Sequence, residues 1–253
     1  MMENKKYVMT NEKIEIQIST LYRIKALKDF GDVKKGDKGG FIQSETNLSH
    51  DGNCWVYDDA KVYGNSKVSG NAIVKDNAKV SGETLVLDNV IISDNAWAKD
   101  ETEISGNAKV YGNATIECAA VVTGHVEVFD DALVGGGWMW CYDKSRLNNK
   151  IVMGGAYITG HAKIHEKAKV CGTAEVTDYV EVHGNVEISE HALIQGRTEI
   201  FGSCKIHGHA HIWGNSKIYG NAELSEDADI KDMEISGEPE TKKNIEENFE
   251  LQM

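Results

Sequence analysis

The side chains best suited to bind a ligand are crowded into one short stretch. Two tryptophans, a tyrosine, a lysine and an arginine occur there, namely Trp138, Trp140, Tyr142, Lys144 and Arg146. Aromatic rings stack on planar groups and pair with cations, and the two basic residues attract anions. The composition predicts a site for a small anionic or nucleotide-like ligand. Because Trp, Tyr and Arg also dominate protein interfaces, contact with a neighbouring subunit is the alternative.

Histidine is the residue type best suited to act as a general base, because its ordinary pKa lies near working pH. The chain has nine histidines. Four are candidates for catalysis, and they are His125, His161, His165 and His209. Four of the nine fall where the chain is expected to turn, and a histidine there is more simply a polar turn residue. No metal site is predicted.

The element that must position these residues is a repeat of six residues, which runs from Cys54 to Met233 in 30 hexads. The first slot is small in 27 of the 30 hexads, and the third holds Val, Ile or Leu in 27 of 30. Both slots point to one side of an extended strand, while the second and fourth point outward. Slots five and six favour Gly, Asp and Asn, which accept turn conformations. This pattern predicts a parallel β-solenoid.

Three hexads close one triangular coil, so the repeat predicts about ten coils, since 30 hexads make ten sets of three. The hexads that break the pattern cluster between 138 and 152, where Trp138 and Lys144 fill the small slot, and Trp140 and Arg146 fill the aliphatic slot. A buried charge or an indole does not fit so narrow an axis. The sequence therefore predicts a loop near 135–155 that leaves the prism. If this loop replaces one whole coil of 18 residues, each later strand stays on the face that the repeat assigns to it, and the three faces keep their order. If only twelve residues leave the prism, every later strand moves to the next face.

With the faces in order, five aromatic residues fall into a single outward column, and these are Tyr57, Tyr111, Phe129, Phe201 and Tyr219. Such a stripe is too apolar to remain exposed to water. We expect it to be buried between subunits of a homotrimer. A row of platforms on which a sugar or nucleotide stacks is the alternative.

The ends and the composition complete the prediction. Residues 1–47 are expected to form a small N-terminal β cap, with strands at 14–18 and 22–27 and a turn around Gly36, Gly39 and Gly40; 48–237 form the solenoid, and 238–253 a tail or short helix. The net charge of −13 and the presence of only three arginines exclude a basic stripe for direct nucleic-acid binding. With no long apolar segment, the chain is expected to be cytoplasmic and not bound to a membrane.

The phrasing of the repeat, as in Gly64-Asn65-Ser66-Lys67-Val68, resembles the hexapeptide-repeat family. The segments Gly31–Val33, Gly39–Phe41 and Gly52–Asp58 are similar to an uncharacterised branch of that family, which contains proteins named as bacterial acetyltransferases and proteins carried by phages or prophages. This resemblance implies a left-handed β-helix, a homotrimer and, in many members, a histidine base near a subunit interface with acetyl-CoA as acyl donor.

Two functions follow from these features. The first is a trimeric, non-catalytic binding protein without a cofactor, acting in a phage-type counter-defence by sequestering a nucleotide-like ligand or blocking a host protein. The second is a CoA-dependent acyltransferase that uses an interfacial histidine. A purely structural protein is a third possibility, because no segment matches a full acyltransferase motif.

Overall fold

The computed structural model describes residues 5–16, 19–135 and 156–237. It is an all-β parallel solenoid with three long sheets, as the hexad repeat predicts. The small first slot and the aliphatic third slot are buried in the described coils, apart from the partly buried Ala228 in the last one, so the core is a line of Ala and Val or Ile side chains along the prism axis. The handedness of the coil remains a prediction.

Each sheet forms one face of the prism. Face I has ten strands, which are β4 (Trp55–Val56), β7 (Ile73–Val74), β10 (Ile91–Ile92), β13 (Lys109–Val110), β16 (Glu127–Val128), β19 (Lys163–Ile164), β22 (Glu181–Val182), β25 (Glu199–Ile200), β28 (Lys217–Tyr219) and β31 (Glu234–Ser236). Face II has twelve, which are β1 (Tyr7–Ile16), β2 (Ser19–Ala26), β3 (Lys38–Ile42), β5 (Lys61–Val62), β8 (Lys79–Val80), β11 (Trp97–Ala98), β14 (Thr115–Ile116), β17 (Leu133–Val134), β20 (Lys169–Val170), β23 (Glu187–Ile188), β26 (Lys205–Ile206) and β29 (Glu223–Leu224). Face III has nine, which are β6 (Lys67–Val68), β9 (Leu85–Val86), β12 (Glu103–Ile104), β15 (Val121–Val122), β18 (Tyr157–Ile158), β21 (Glu175–Val176), β24 (Leu193–Ile194), β27 (His211–Trp213) and β30 (Asp229–Lys231).

The corners between faces use the left-handed backbone at slot five. Gly160 has φ of 77°, and a Cβ there would lie 2.6 Å from the backbone nitrogen of Asp178 in the next coil. Where slot five holds an acid, its carboxylate accepts a hydrogen bond from a backbone amide one coil away, as Asp94 does from Gly112 N at 2.9 Å. Many of the acidic side chains therefore stabilise the turns by hydrogen bonds to the backbone.

The strands on either side of the break pair with each other directly. Val121 pairs with Tyr157 on face III and Leu133 pairs with Lys169 on face II, a sequence separation of 36 where other neighbours differ by 18. The three faces therefore keep their order across the break. This is the order predicted for a loop that replaces one whole coil of 18 residues.

The N-terminal segment adds an antiparallel pair, β1 and β2, and β3 joins it to the first coil by pairing in parallel with β5. A short 3-10 helix follows at Glu45–Asn47. The strands are longer or shifted relative to the predicted ones, and Gly39 and Gly40 lie within β3 rather than in a turn. The reason is close packing, since a Cβ on Gly39 would lie 2.5 Å from the carbonyl oxygen of Val56.

A buried lysine closes this end of the solenoid. Lys6 Nζ donates to the carbonyl oxygen of Cys54 at 2.8 Å and to those of Gly52 and Asp51 at 3.3 and 3.4 Å. Burial lowers the pKa of Lys6. The ammonium group satisfies carbonyls of the first coil that have no strand beyond them. The predicted domain boundaries remain predictions, and the predicted tail at 238–253 lies outside the described residues.

Candidate functional site

Face I carries a continuous ladder of six rings, which we call the aromatic ladder. Its members occupy the outward slot just before the corner between faces I and II, and they are Tyr111, Phe129, His165, His183, Phe201 and Tyr219. Successive ring centroids lie 4.6 to 5.3 Å apart, with interplanar angles of 3 to 9°. The ladder exists because parallel strands in register repeat the same outward slot about every 4.8 Å.

The predicted aromatic column is thus placed in one line, but its composition differs from the prediction. Tyr57 occupies the same column, and Lys75 and Ser93 separate it from the ladder. His165 and His183 fill the gap between Phe129 and Phe201. Sequence reasoning missed these two members, although their spacing of 36 and 54 residues from Phe129 contained the signal.

The internal stacking changes what the ladder can bind. Aromatic groups recognise planar ligands with their faces, and here the four inner rings have both faces against neighbouring rings. The inner part of the ladder therefore presents ring edges to its surroundings. This geometry disfavours the row of stacking platforms and suits contact with a protein surface.

Carboxylates surround the two histidines at the centre of the ladder. His165 Nε2 lies 3.0 Å from Glu181 Oε1, within hydrogen-bond distance. His183 lies between two acids, with Nδ1 3.8 Å from Glu166 Oε1 and Nε2 3.6 Å from Glu199 Oε1. The side chain of His165 is only 15% exposed. A histidine oriented by a carboxylate is the usual arrangement of a general base.

A groove of about 650 Å³ runs along the corner next to the ladder. Its lining comes from the turn residues of five coils, and it consists of Gly112, Asn113, Asp130, Asp131, Glu166, Lys167, Gly184, Asn185, Gly202 and Ser203. Several of these directly follow ladder residues in sequence, as Glu166 follows His165. The groove and the histidine pair therefore form one continuous surface.

The Tyr111 phenol at one end of the ladder is held in its protonated form. Burial raises its pKa, and the carboxylates of Glu127 and Asp130 add to the effect. The phenol can therefore donate a hydrogen bond at neutral pH and above.

The other histidine candidates lie at other corners. His125 and His161 stack at 4.9 Å on the corner between faces III and I, where His161 also stacks on Tyr179. His209 stacks on His191 at the corner between faces II and III. All four of these imidazoles are exposed. Neither pair lies against a carboxylate at hydrogen-bond distance among the described residues, so the four candidates do not form one site.

The predicted ligand-binding residues Trp138, Trp140, Tyr142, Lys144 and Arg146 lie outside the described residues. Their assignment to a ligand or to a neighbouring subunit stays a prediction.

One group of possible metal ligands occurs among the described residues, and it consists of Asp100, Glu117 and Cys118. Cys118 is disulfide-bonded and offers no thiolate. Glu117 already pairs with Lys99 at 2.6 Å. We assign no metal to this group. No helix in the described part of the chain is long and apolar enough to cross a membrane.

Comparison with known proteins gives one informative similarity. A stretch of 76 residues is 36% identical to a protein of Escherichia coli (strain K12) described as uncharacterized acetyltransferase YdcK, and it covers 30% of this chain and 23% of that protein. The chain thus matches under a quarter of the length of this relative. No family model matches the chain. The β-solenoid and this similarity fit the hexapeptide-repeat family, and nothing in the comparisons supports the phage context.

Proposed function

We propose that this chain is an acyltransferase of the hexapeptide-repeat type in which His165 is the general base. The observation that carries the proposal is the 3.0 Å contact between His165 Nε2 and Glu181 Oε1. Of the four histidines predicted as catalytic candidates, His165 is the one with a carboxylate partner among the described residues. The acetyltransferase similarity supports the reaction class.

The chemistry needs few groups. With Nε2 held by Glu181, the other ring nitrogen of His165, Nδ1, takes the proton of an acceptor amine or hydroxyl as that group attacks the thioester carbonyl. The imidazolium then returns the proton to the departing thiolate of CoA. Glu181 fixes the ring orientation and stabilises the charged imidazolium, as carboxylates do for catalytic histidines. Acetyl-CoA is the acyl donor in this scheme.

A single chain offers an incomplete site, because glycine and polar or charged turn residues line the groove and no wall covers the ladder. Small-molecule sites are usually concave and largely apolar. In this proposal a homotrimer supplies the missing wall, with a neighbouring copy standing opposite face I. The site is then a cleft between two copies with His165 on one side.

The test measures release of the CoA thiol from acetyl-CoA with a panel of amines, amino sugars and alcohols as acceptors. His165→Gln should lower the rate about 10²- to 10⁴-fold, the usual contribution of a general base. His209→Gln, a ring on another corner, is the control and should keep the original rate. Full activity in His165→Gln, or no thiol release with any acceptor, would contradict the proposal.

A non-catalytic binding protein is the second candidate, because the ring edges of the aromatic ladder suit contact with a protein surface. A thermal-shift screen separates the two functions, because a ligand that binds the folded state raises its melting temperature. Stabilisation by acetyl-CoA supports the acyltransferase. Stabilisation by cyclic or ADP-ribose nucleotides alone supports sequestration of a nucleotide-like ligand. A counter-defence protein would act by this kind of sequestration.

A further inference from the structure

The three corners of the prism differ in charge. Among the described turn residues, corner I/II carries seven acids and one base, which are Asp58, Asp59, Asp76, Asp94, Asp130, Asp131, Glu166 and Lys167. Corner II/III carries six acids and no lysine or arginine, namely Glu83, Asp100, Glu101, Glu190, Glu226 and Asp227. Corner III/I carries three acids and one base, which are Asp88, Asp178, Asp232 and Arg197.

Uncharged amides occupy much of corner III/I. Asn53, Asn71, Asn89 and Asn107 form a ladder in which each Nδ2 donates to the Oδ1 of the next, at 3.0 to 3.3 Å, and Asn107 continues it to His125. Each amide side chain is thus hydrogen-bonded within the chain. This part of the corner can therefore approach another surface without leaving an amide group unpaired.

The two most exposed aromatic rings of the coils lie on the same side of the prism. Tyr157 on face III is 39% exposed, and Tyr179 at corner III/I is 59% exposed. Face III also carries the outward aliphatic residues Leu85, Leu87, Val121 and Leu193. Face I carries the aromatic ladder. Apolar outward side chains therefore lie on both faces that meet at the weakly charged corner, and face II carries fewer of them, among them Tyr63, Trp97 and Leu133.

We propose that three copies of this chain associate with corner III/I at the three-fold axis, so that face III of each copy stands opposite face I of the next across a wedge-shaped cleft. A three-fold arrangement brings one corner of every prism together, and like charges there would repel within the ~10 Å range of weak screening. The two acidic corners then face water. This inference rests on the homotrimer of the proposed function and specifies its contact surface.

The arrangement also places the candidate site. The ladder residues immediately precede corner I/II, so they lie at the outer edge of face I, away from the axis. The ring edges line the outer part of this cleft opposite face III of the neighbour, and the groove at corner I/II opens at its mouth. His165 is then reached by an acceptor from solvent and by acetyl-CoA along the cleft.

Matched charge insertions test the proposal in the full chain. Asn71→Asp with Asn89→Asp adds two acids per copy at corner III/I. The control, Asn77→Asp with Asn95→Asp, adds two acids at the same slot of the following corner. Mass in solution at micromolar concentration and low salt is the readout. The first variant should fall from trimer to single-chain mass and partly recover in high salt, while the control keeps the trimer mass.

A second pair covers the case in which the axis tolerates the acids. Tyr157→Glu charges the centre of face III, and Thr115→Glu charges face II as its control. Tyr157→Glu should dissociate the trimer and Thr115→Glu should not. The corner assignment would be overturned if both test variants remain trimers, or if the control variants dissociate instead. In that case the proposed function is still tested separately by the acetyl-transfer assay. Loss of acetyl transfer in a trimer that responds as expected would overturn the function alone.

Discussion

Corners III/I and I/II have the same backbone and carry different surfaces. Both place slot five in the left-handed region, and both bear ladders of slot-six asparagines, such as Asn71 to Asn89 on one and Asn95 to Asn113 on the other. They differ in charge, since corner I/II carries more than twice the acids of corner III/I. The repeat therefore determines the shape equally everywhere, and the outward side chains determine which surface meets another molecule.

The largest expected effect tests whether catalysis is confined to one edge of face I. Beyond the loss predicted for His165→Gln, Glu181→Gln should lower acetyl transfer about 10- to 100-fold, because the imidazole loses its orienting carboxylate. Its control is Glu187→Gln on face II, where the carboxylate pairs with Lys169 at 3.1 Å. The rate is measured against pH. A merely structural role for Glu181 would lower the rate without changing the shape of the pH profile.

The next prediction tests the common backbone of the two corners. Gly160→Val at corner III/I and Gly184→Val at corner I/II should each cost about 2–3 kcal/mol of unfolding free energy, because a β-branched residue is strained in the left-handed region. In both positions a Cβ would also lie within 2.6 Å of a backbone atom of the next coil. Urea unfolding at one protein concentration measures the loss. An unchanged midpoint in either variant would contradict the shared geometry.

The smallest effect tests the difference in charge. Asp88 and Asp94 lie in one coil, and each accepts a hydrogen bond from a glycine amide at 2.9 Å, but Asp88 belongs to corner III/I and Asp94 to corner I/II. Asn at either position keeps an oxygen acceptor. Asp88→Asn should strengthen assembly by ~1 kcal/mol or less, because it removes an acid near the axis, whereas Asp94→Asn should leave it unchanged. Dilution experiments that follow dissociation measure both, and equal effects would contradict the account.

Much of the fold could be predicted from the sequence because two inward slots repeat with few exceptions. A small residue beside the corner and a Val or Ile on the axis leave little choice of architecture, and the parallel solenoid is confirmed. The N-terminal strands were predicted less well, since Gly39 and Gly40 signal a turn locally while the packing against Val56 draws them into β3.

The candidate site could be predicted only in part. The column containing Phe129 and Phe201 followed from the 18-residue period, but only Phe and Tyr were assigned to it and His165 was considered as a general base, so the two histidine rings that complete the ladder were missed. The contact of His165 with Glu181 joins residues 16 apart in sequence, on adjacent strands at different slots. No short motif marks such a pair, and the coordinates were needed to find it.

The central claim is that three copies of this chain meet at corner III/I and form a cleft beside the aromatic ladder. The mass of the unmodified chain in solution tests it most directly, measured at micromolar concentration by sedimentation or light scattering. The account predicts three times the 27.9 kDa of one chain. A particle with the mass of a single chain would contradict it, because the aromatic ladder and Tyr157 would then remain exposed to water.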